Sequence, residues 1–348
     1  MNSIRFLVVL IAFGLMPASP AFAQFGEIHT GSVLPRDVRE MYDKGLEYLA
    51  KSQDESGGWS GGQSGPGITG MAVMCFLASG EDPNFGQYAG IIRRGLRSMI
   101  SQQQESTGFF GGSMYHHGFA MLAMAEAYGT VDDRGLWPNP DGKNQRLLGQ
   151  SLELAVRAAI TSQKKNSSKA WRYSPDGNDA DTSVAGAVLV GLLAARNAGI
   201  EVPDESIDGA IAYFVSMTAP SGQVAYSGGL GGFDESLARI SIASLVYSIA
   251  RRKDLPQYKS TLNYLTDKLQ GGSSGHGGVE YQNYYQAQAM FQGDLEAWEK
   301  WNKNLIRQMK STQQPDGSFP GTHGVSVSTT LSLLALAVNY RLLPIYER

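Results

Sequence analysis

The stretch that decides the fold lies in residues 44–59: Lys44-Gly45-Leu46-Glu47-Tyr48-Leu49, then Gln53, then Gly57-Gly58-Trp59. The same skeleton returns clearly at 94–110 and 313–319 and more weakly in three segments between them. With the Gln position as the anchor, the copies fall at positions 53, 103, 163, 218, 269 and 313. A recurrence of about fifty residues is typical of stacked or ring-like repeats, none of which folds alone.

Each repeat is predicted to contain two helices of different character. The segment before the anchor is amphipathic, as in Val38, Met41, Gly45, Tyr48 and Leu49, and a Gly-rich turn ends it. The segment after the turn is apolar nearly all round, at 71–77, 118–124, 184–194, 240–249 and 325–338. A helix that is apolar on every side must be buried. We therefore expect an all-α protein with six helix pairs arranged in an outer and an inner layer.

The first residues predict export. Met1 to Arg5 carries one positive charge, residues 6–15 are apolar, and Ala21-Phe22-Ala23 precedes Gln24. A charged start, a short apolar core and an A-x-A end are typical of a cleaved signal peptide. We expect residues 1–23 to be removed, leaving 24–348 as a single domain in the periplasm or outside the cell.

Composition excludes several classes of function. The formal net charge is −3 and no basic run occurs, so neither nucleic acid nor an anionic membrane surface is an expected partner. No apolar run after the leader is long enough to span a membrane. Cys75 is the only cysteine, which rules out an intramolecular disulfide and leaves stability to the core.

The pattern from Lys44 to Trp59 resembles the QW repeat of squalene and oxidosqualene cyclases. The same fold serves protein prenyltransferase β-subunits and the complement thioester domain. The resemblance runs from about Arg36 to the end of the chain, and 340–346 looks like the last segment of exported repeat proteins of this superfamily. It implies an (α/α)6 toroid whose inner helices surround a central cavity. It also implies that Gln53, Trp59, Trp171 and Gln313 are structural and not catalytic.

In such a toroid, the turns that lead into the inner helices face one mouth of the cavity, so polar side chains near them are site candidates. Asp181, with Asp179, is the candidate catalytic group. The candidate binding residues are His116, His117, Thr182, Asp234, Glu235, Arg239, Glu280, Tyr284, Tyr285 and His323. The structural alternative is that the acids cap helices and the histidines are core or rim residues with satisfied partners.

The chemistry that the resemblance implies depends on motifs that this chain carries only in part. Class II cyclases use Asp-x-Asp-Asp, and Asp179-Ala180-Asp181-Thr182 resembles it with Asp181 in the place of the acid, but Thr182 replaces the last Asp. Cys75 lacks the Asp-x-Cys context of the prenyltransferase zinc site, and the Gly-Cys-Gly-Glu-Gln thioester motif is absent. Residues 176–187 do not complete a calcium loop, because its sixth and twelfth positions are Asp181 and Ala187. We expect no metal and no cofactor.

Three classes of function therefore stay open, and the sequence does not decide whether the protein is an enzyme. The favoured one is a binding protein for a hydrophobic, isoprenoid-like small molecule, a glycan or a partner protein. The second is a carbohydrate-active lyase or hydrolase that uses aromatic residues with Asp181, Asp234 and Glu280. The third is a terpene cyclase with the incomplete motif. The chemistry of the cavity discriminates among them: an apolar, aromatic lining favours an isoprenoid-like ligand, and paired acids favour carbohydrate.

Overall fold

Outer and inner helices alternate along the chain. The computed structural model describes residues 34–60, 64–138, 145–229, 235–268 and 278–347, and within these ranges it contains twelve α-helices and no named strand. The outer helices are α1 Arg36–Ser52, α3 Ala89–Gln102, α5 Leu148–Lys165, α7 Asp204–Met217, α9 Pro256–Asp267 and α11 Leu295–Thr312. The inner helices are α2 Pro66–Leu77, α4 Met114–Ala127, α6 Thr182–Asn197, α8 Leu237–Ile249, α10 Val279–Gly293 and α12 Val325–Ala337. The all-α prediction is confirmed. The predicted leader, 1–23, lies outside the described residues.

The two layers differ in burial as the patterns predict. Outer helix α1 buries a single stripe that includes Val38, Met41, Tyr42, Leu46 and Leu49, and its other face is polar and largely exposed. Inner helix α2 is buried on all sides, from its first residue almost to its last. The inner helices therefore form the core, because only an apolar surface can be covered by neighbours on every side without unpaired polar groups.

The inner helices form a closed ring. Each packs against the next along the chain, from α2 through α4, α6, α8 and α10 to α12, and α12 packs back against α2. The first outer helix, α1, contacts both α11 and α12, so the outer layer closes at the same place. This is the (α/α)6 toroid that the resemblance implies.

Four anchor glutamines join their repeat to the next one. The side-chain amide of the anchor donates to a carbonyl oxygen in the next outer helix: Gln53 to Ile91 (3.0 Å), Gln103 to Ser151 (2.9 Å), Gln163 to Ser206 (2.7 Å) and Gln313 to Met41 (2.8 Å). The indole N–H groups of Trp59 and Trp171 donate to carbonyls within their own repeats. The last of the glutamine bonds joins the sixth repeat to the first and so closes the ring.

The end of the chain covers the ring at the carboxyl ends of the inner helices. A short 3-10 helix, Pro344–Tyr346, lies there with Ile345 and Tyr346 buried. Its segment is bonded to three inner helices: Ile345 N–H donates to Glu126 (3.4 Å), Tyr346 O–H donates to the Leu334 carbonyl (3.3 Å), and the Gln292 amide donates to the Glu347 carbonyl (2.7 Å). Any opening of the ring must therefore be at the other end, where the inner helices begin.

Within the described ranges, no helix combines the length and the apolar character needed to cross a bilayer.

Replacing the turn glycine that closes the ring is expected to be far more costly than replacing a comparable glycine elsewhere. Gly317 has φ +92°, and a Cβ there would overlap the Lys44 carbonyl of the first repeat. Gly129 has φ +81°, with open space around the position of a Cβ. Gly129→Ala should cost about 1–2 kcal/mol from backbone strain alone, and Gly317→Ala should cost about 2 kcal/mol more from the overlap. Urea unfolding of both variants measures this, and equal costs would contradict ring closure at Gly317.

The buried carboxyl of Glu126 should make stability fall as pH rises. Burial raises its pKa to about 8, the Ile345 N–H opposes the shift, and Glu347 adds to it. Tyr346 and Tyr284 are the other titratable groups that face it. Between pH about 4.5 and about 8 the unfolded chain loses this proton while the folded chain keeps it, so the free energy of unfolding decreases with pH.

Glu126→Gln should remove that part of the pH dependence, because glutamine stays neutral. Compared with the parent, the variant should gain roughly 2–4 kcal/mol of stability at pH above 8 and almost none at pH below 5. Urea unfolding of both proteins at the two pH values gives the comparison. A parent and a variant with parallel stability profiles would show that Glu126 does not titrate as its burial requires.

Candidate functional site

A cavity of about 620 Å³ lies on the axis of the ring, at the end where the inner helices begin. The second or third residue of every inner helix contributes to its wall, which is why the cavity is central and not a groove between two repeats. These residues are Gly67 and Ile68, Tyr115 and His116, Ser183, Arg239, Tyr281 and Val327.

The deeper wall is apolar. Met71, Phe119 and Leu331 lie about one turn further along their helices than the first wall residues, which places them roughly 6 Å deeper at a rise of 1.5 Å per residue. At about the same depth, Tyr284 packs against Phe119 with ring centroids 6.0 Å apart, and Tyr285 packs against Tyr284 at 4.7 Å. The cavity therefore has a hydrocarbon and aromatic floor.

The mouth is aromatic and cationic. Tyr173 and Tyr226 come from the turns before α6 and α8, and their hydroxyl oxygens are 3.2 Å apart. The Arg172 guanidinium carbon lies 5.4 Å from the centre of the Tyr226 ring, and that of Arg239 lies 5.9 Å from it. Arg239 also donates from Nε to the Val224 carbonyl at 3.1 Å. These cation–π contacts hold the Tyr226 ring in place at the entrance.

The two histidines of the second repeat lie in different environments. His116 lines the cavity, and burial lowers its pKa, so it is neutral at physiological pH. His117 is fully buried behind the wall: its Nδ1 accepts from Phe110 N–H at 3.2 Å, and its Nε2 then donates to the Ala155 carbonyl at 3.0 Å. Burial lowers the pKa of His117 to about 4. His117 is thus a satisfied core residue, whereas His116 can contact a ligand.

Asp181 lies behind the cavity wall and not in it. Its Oδ1 accepts from Val184 N–H at 2.8 Å, which caps α6, and its Oδ2 lies 3.6 Å from Arg172 Nε. The side chain is fully buried. Burial raises its pKa, and the Val184 N–H and Arg172 oppose that shift. Asp179 is exposed and forms an ion pair with Arg172 at 3.3 Å.

The other predicted site residues are spread over several places. Arg239 and His323 line the cavity. Thr182 donates from Oγ1 to the Ala225 carbonyl and so joins two repeats.

Glu235 accepts from Tyr264 O–H and pairs with Lys268, next to outer helix α9. Glu280 lies in a separate pocket of about 410 Å³ beside α11 and α12. Tyr284 and Tyr285 pack behind the deeper wall and do not line the cavity, and Asp234 lies outside the described residues.

Most wall residues were not among the candidate site residues, and Tyr115, Phe119 and Tyr226 are examples. The available signal was positional. Once the six inner helices are aligned by their first residues, the second and third positions identify most of the wall. No group of three or more potential metal ligands (His, Cys, Asp or Glu) occurs in the described part of the chain.

Solved structures with the same fold include two kinds of enzyme. The α-1,6-mannanase GH76A of Salegentibacter sp. HEL1_6 superposes with a TM-score of 0.64 at 9% identity, over 88% of this chain and 99% of that one. The type II terpene cyclase MstE from Scytonema superposes with a TM-score of 0.60 at 12% identity, over 88% of this chain and 99% of that one. At these identities the likeness establishes the α/α toroid fold.

Neither a protein-family model nor a curated protein sequence matches the chain.

The role of Asp181 can be separated from its fold contribution by two substitutions. Asp181→Ala removes the cap and should cost about 1 kcal/mol or more. Asp181→Asn keeps an acceptor for Val184 N–H, so its stability should stay closer to the parent's, and ligand binding should not change. Thermal melting and ligand titration of both variants measure this. Loss of binding in Asp181→Asn at an unchanged melting temperature would make the carboxyl a functional group.

Proposed function

We propose that this protein binds a hydrophobic small molecule in its central cavity, without a requirement for catalysis. The observation that supports this proposal most strongly is the chemical character of the cavity lining. Hydrocarbon and aromatic groups make up the floor and most of the wall, and no Asp or Glu is among the described residues that line the cavity. A cavity of about 620 Å³ is within the usual size range of small-molecule sites, roughly 300–1,000 Å³.

The fold comparison supports this proposal. MstE has been solved in complex with geranylgeranyl dihydroxybenzoate, so a toroid of this kind can hold an isoprenoid chain. In the present chain the axial cavity is apolar in its deeper part, and the terminal segment covers the opposite end of the ring. A ligand with an isoprenoid-like hydrocarbon body suits this cavity, because binding removes the apolar surface of both the ligand and the cavity from water.

A carbohydrate-active enzyme is the alternative. The mannanase GH76A has been solved with α-1,6-mannotriose, and the exposed ring of Tyr173 at the mouth is suited to stacking on a sugar. Glycoside hydrolysis needs two carboxyl groups on opposite sides of one bond. Asp181 is buried behind the wall and Asp179 is paired outside it, so neither faces the cavity. The terpene-cyclase hypothesis is weakened for the same reason, because the Asp181 carboxyl does not face the cavity.

We further propose that the protein acts after export, supported by the leader pattern in residues 1–23. Expression with its own leader in a Gram-negative host should yield a mature chain that begins at Gln24. N-terminal sequencing that finds an intact Met1 would contradict export.

A charge placed in the cavity should weaken binding, whereas the same charge two residues earlier should have little effect. Val327 lines the cavity, and Val325 begins the same helix with its side chain exposed. Because an ammonium group in an apolar cavity is costly, Val327→Lys should weaken binding of Nile red, a neutral hydrophobic dye, by about tenfold or more. Val325→Lys should change it by less than about twofold.

Fluorescence titration of the parent and both variants gives the dissociation constants. Equal binding by all three would place the dye outside the cavity and contradict the proposal. Binding of mannooligosaccharides in place of the dye would favour the carbohydrate alternative.

A further inference from the structure

The cavity wall carries one cluster of hydroxyl groups. Tyr115, Ser183 and Tyr281 line the cavity from three different inner helices, α4, α6 and α10. The Tyr281 hydroxyl faces those of Tyr115 and Ser183 and that of Tyr285, one turn below. The ring centroid of Tyr281 lies 6.3 Å from that of Tyr115 and 5.0 Å from that of Tyr285. Three segments far apart in sequence thus bring hydroxyls to one point.

This cluster divides the cavity into two unlike halves. In the ring order, α4 and α10 stand opposite each other, so the Tyr115–Tyr281 contact crosses the axis. On one side lie α2 and α12, which contribute Ile68, Met71 and Leu331. On the other lie α6 and α8 with the polar mouth residues. A ligand that enters the apolar half therefore meets hydrocarbon from α2 and α12, the rings of His116 and His323, and the hydroxyl groups along the line of the two tyrosines.

The hydroxyl of Tyr281 is a buried polar group on a residue of the cavity wall. It is shielded from solvent, and within the described residues its oxygen makes no hydrogen bond of good geometry, although other hydroxyls surround it. Burial raises the pKa of Tyr115 and of Tyr281, and the nearby Asp181 carboxyl raises both further. Both phenols therefore stay protonated. A buried hydroxyl that lacks a well-formed bond gains free energy when a ligand atom supplies one.

Resting on the proposed function, we infer that the Tyr115, Ser183 and Tyr281 hydroxyls anchor one neutral oxygen atom, a hydroxyl or a carbonyl, of an otherwise hydrocarbon ligand. The hydrocarbon body lies against α2 and α12. Neutral O–H groups can donate to or accept from such an oxygen without bringing a net charge into the apolar half. The Asp181 carboxyl behind Ser183 adds a reason why a negatively charged group is unsuited to this point. The ligand class is thus a terpenoid-like alcohol or ketone, not an acid or a phosphate ester.

The test compares three probes on three proteins. The probes are geranylgeraniol, the hydrocarbon with hydrogen in place of its hydroxyl, and geranylgeranyl phosphate. The proteins are the parent, Tyr281→Phe, and Tyr247→Phe as the matched control. Tyr247 is also a buried tyrosine, but its hydroxyl is 3.0 Å from Thr218 Oγ1 and does not line the cavity. Displacement of Nile red gives each dissociation constant.

The ratio of alcohol affinity to hydrocarbon affinity isolates the anchor, because the solvation of the two probes in water is the same for every protein. Tyr281→Phe should lower this ratio about three- to tenfold, the worth of one hydrogen bond, and Tyr247→Phe should leave it unchanged. Tyr115→Phe should lower it as well, which keeps the test valid if Tyr281→Phe folds poorly.

Each other outcome contradicts a distinct statement. An unchanged ratio in both Tyr281→Phe and Tyr115→Phe, with tight binding retained, overturns the anchor and leaves the hydrophobic cavity site in place. If the parent binds the phosphate more tightly than the alcohol, the proposal that the ligand carries a neutral oxygen is wrong. That result would indicate an anionic head group bound at the cationic mouth. Failure of all three probes to displace the dye overturns the proposed function itself.

Discussion

The side-chain amide of an anchor glutamine, bonded to a backbone carbonyl of the next outer helix, is the contact on which the rest of the structure depends. It occurs between the first and second, second and third, and third and fourth repeats, and again between the sixth and the first through Gln313 and Met41. A turn glycine lies beside it, at Gly57, Gly108 and Gly317, where any side chain would overlap the neighbouring backbone. Backbone contacts of this kind do not depend on the identity of the apolar residues around them. The same connection can therefore repeat while the inner helices differ.

Ring closure is what creates a site. Each inner helix is covered laterally by its two neighbours and outwardly by the outer layer, so the space that the six inner helices share lies on the axis. The terminal segment with Ile345 and Tyr346 covers one end of that axis, and the beginnings of the inner helices surround the other. The first turns of six helices consequently define one cavity. Its apolar half at α2 and α12 and its hydroxyl cluster at α4, α6 and α10 come from repeats that share their backbone but not their side chains.

Repeat length, helix class and layer could all be predicted from the sequence, because they depend on periodicity and on glycine, which are local signals. Most of the cavity wall was missed, although the second and third positions of the inner helices mark much of it once the helix starts are known. A helix that is apolar all round has no hydrophobic face to show which side meets the axis, so Tyr115 and Phe119 look like any other core residues. The same limit applies to acids at helix starts. Asp181 has the position of a catalytic acid and the hydrogen bond of a helix cap, and the structure separates the two roles because Asp181 is not among the residues that line the cavity. His116 and His117 are adjacent in sequence, yet one faces the cavity and the other faces the core.

The most direct test of the central claim, that the axial cavity is a hydrophobic ligand site, is to locate a heavy-atom probe in a crystal. The protein would be crystallised with a brominated isoprenoid alcohol, and the anomalous signal of bromine would be mapped. The predicted result is one bromine peak in the apolar half, between Met71 and Leu331, with the probe oxygen near the Tyr281 hydroxyl. A peak on the outer helices, or in the separate pocket beside Glu280 with the axial cavity holding only water, would contradict the account.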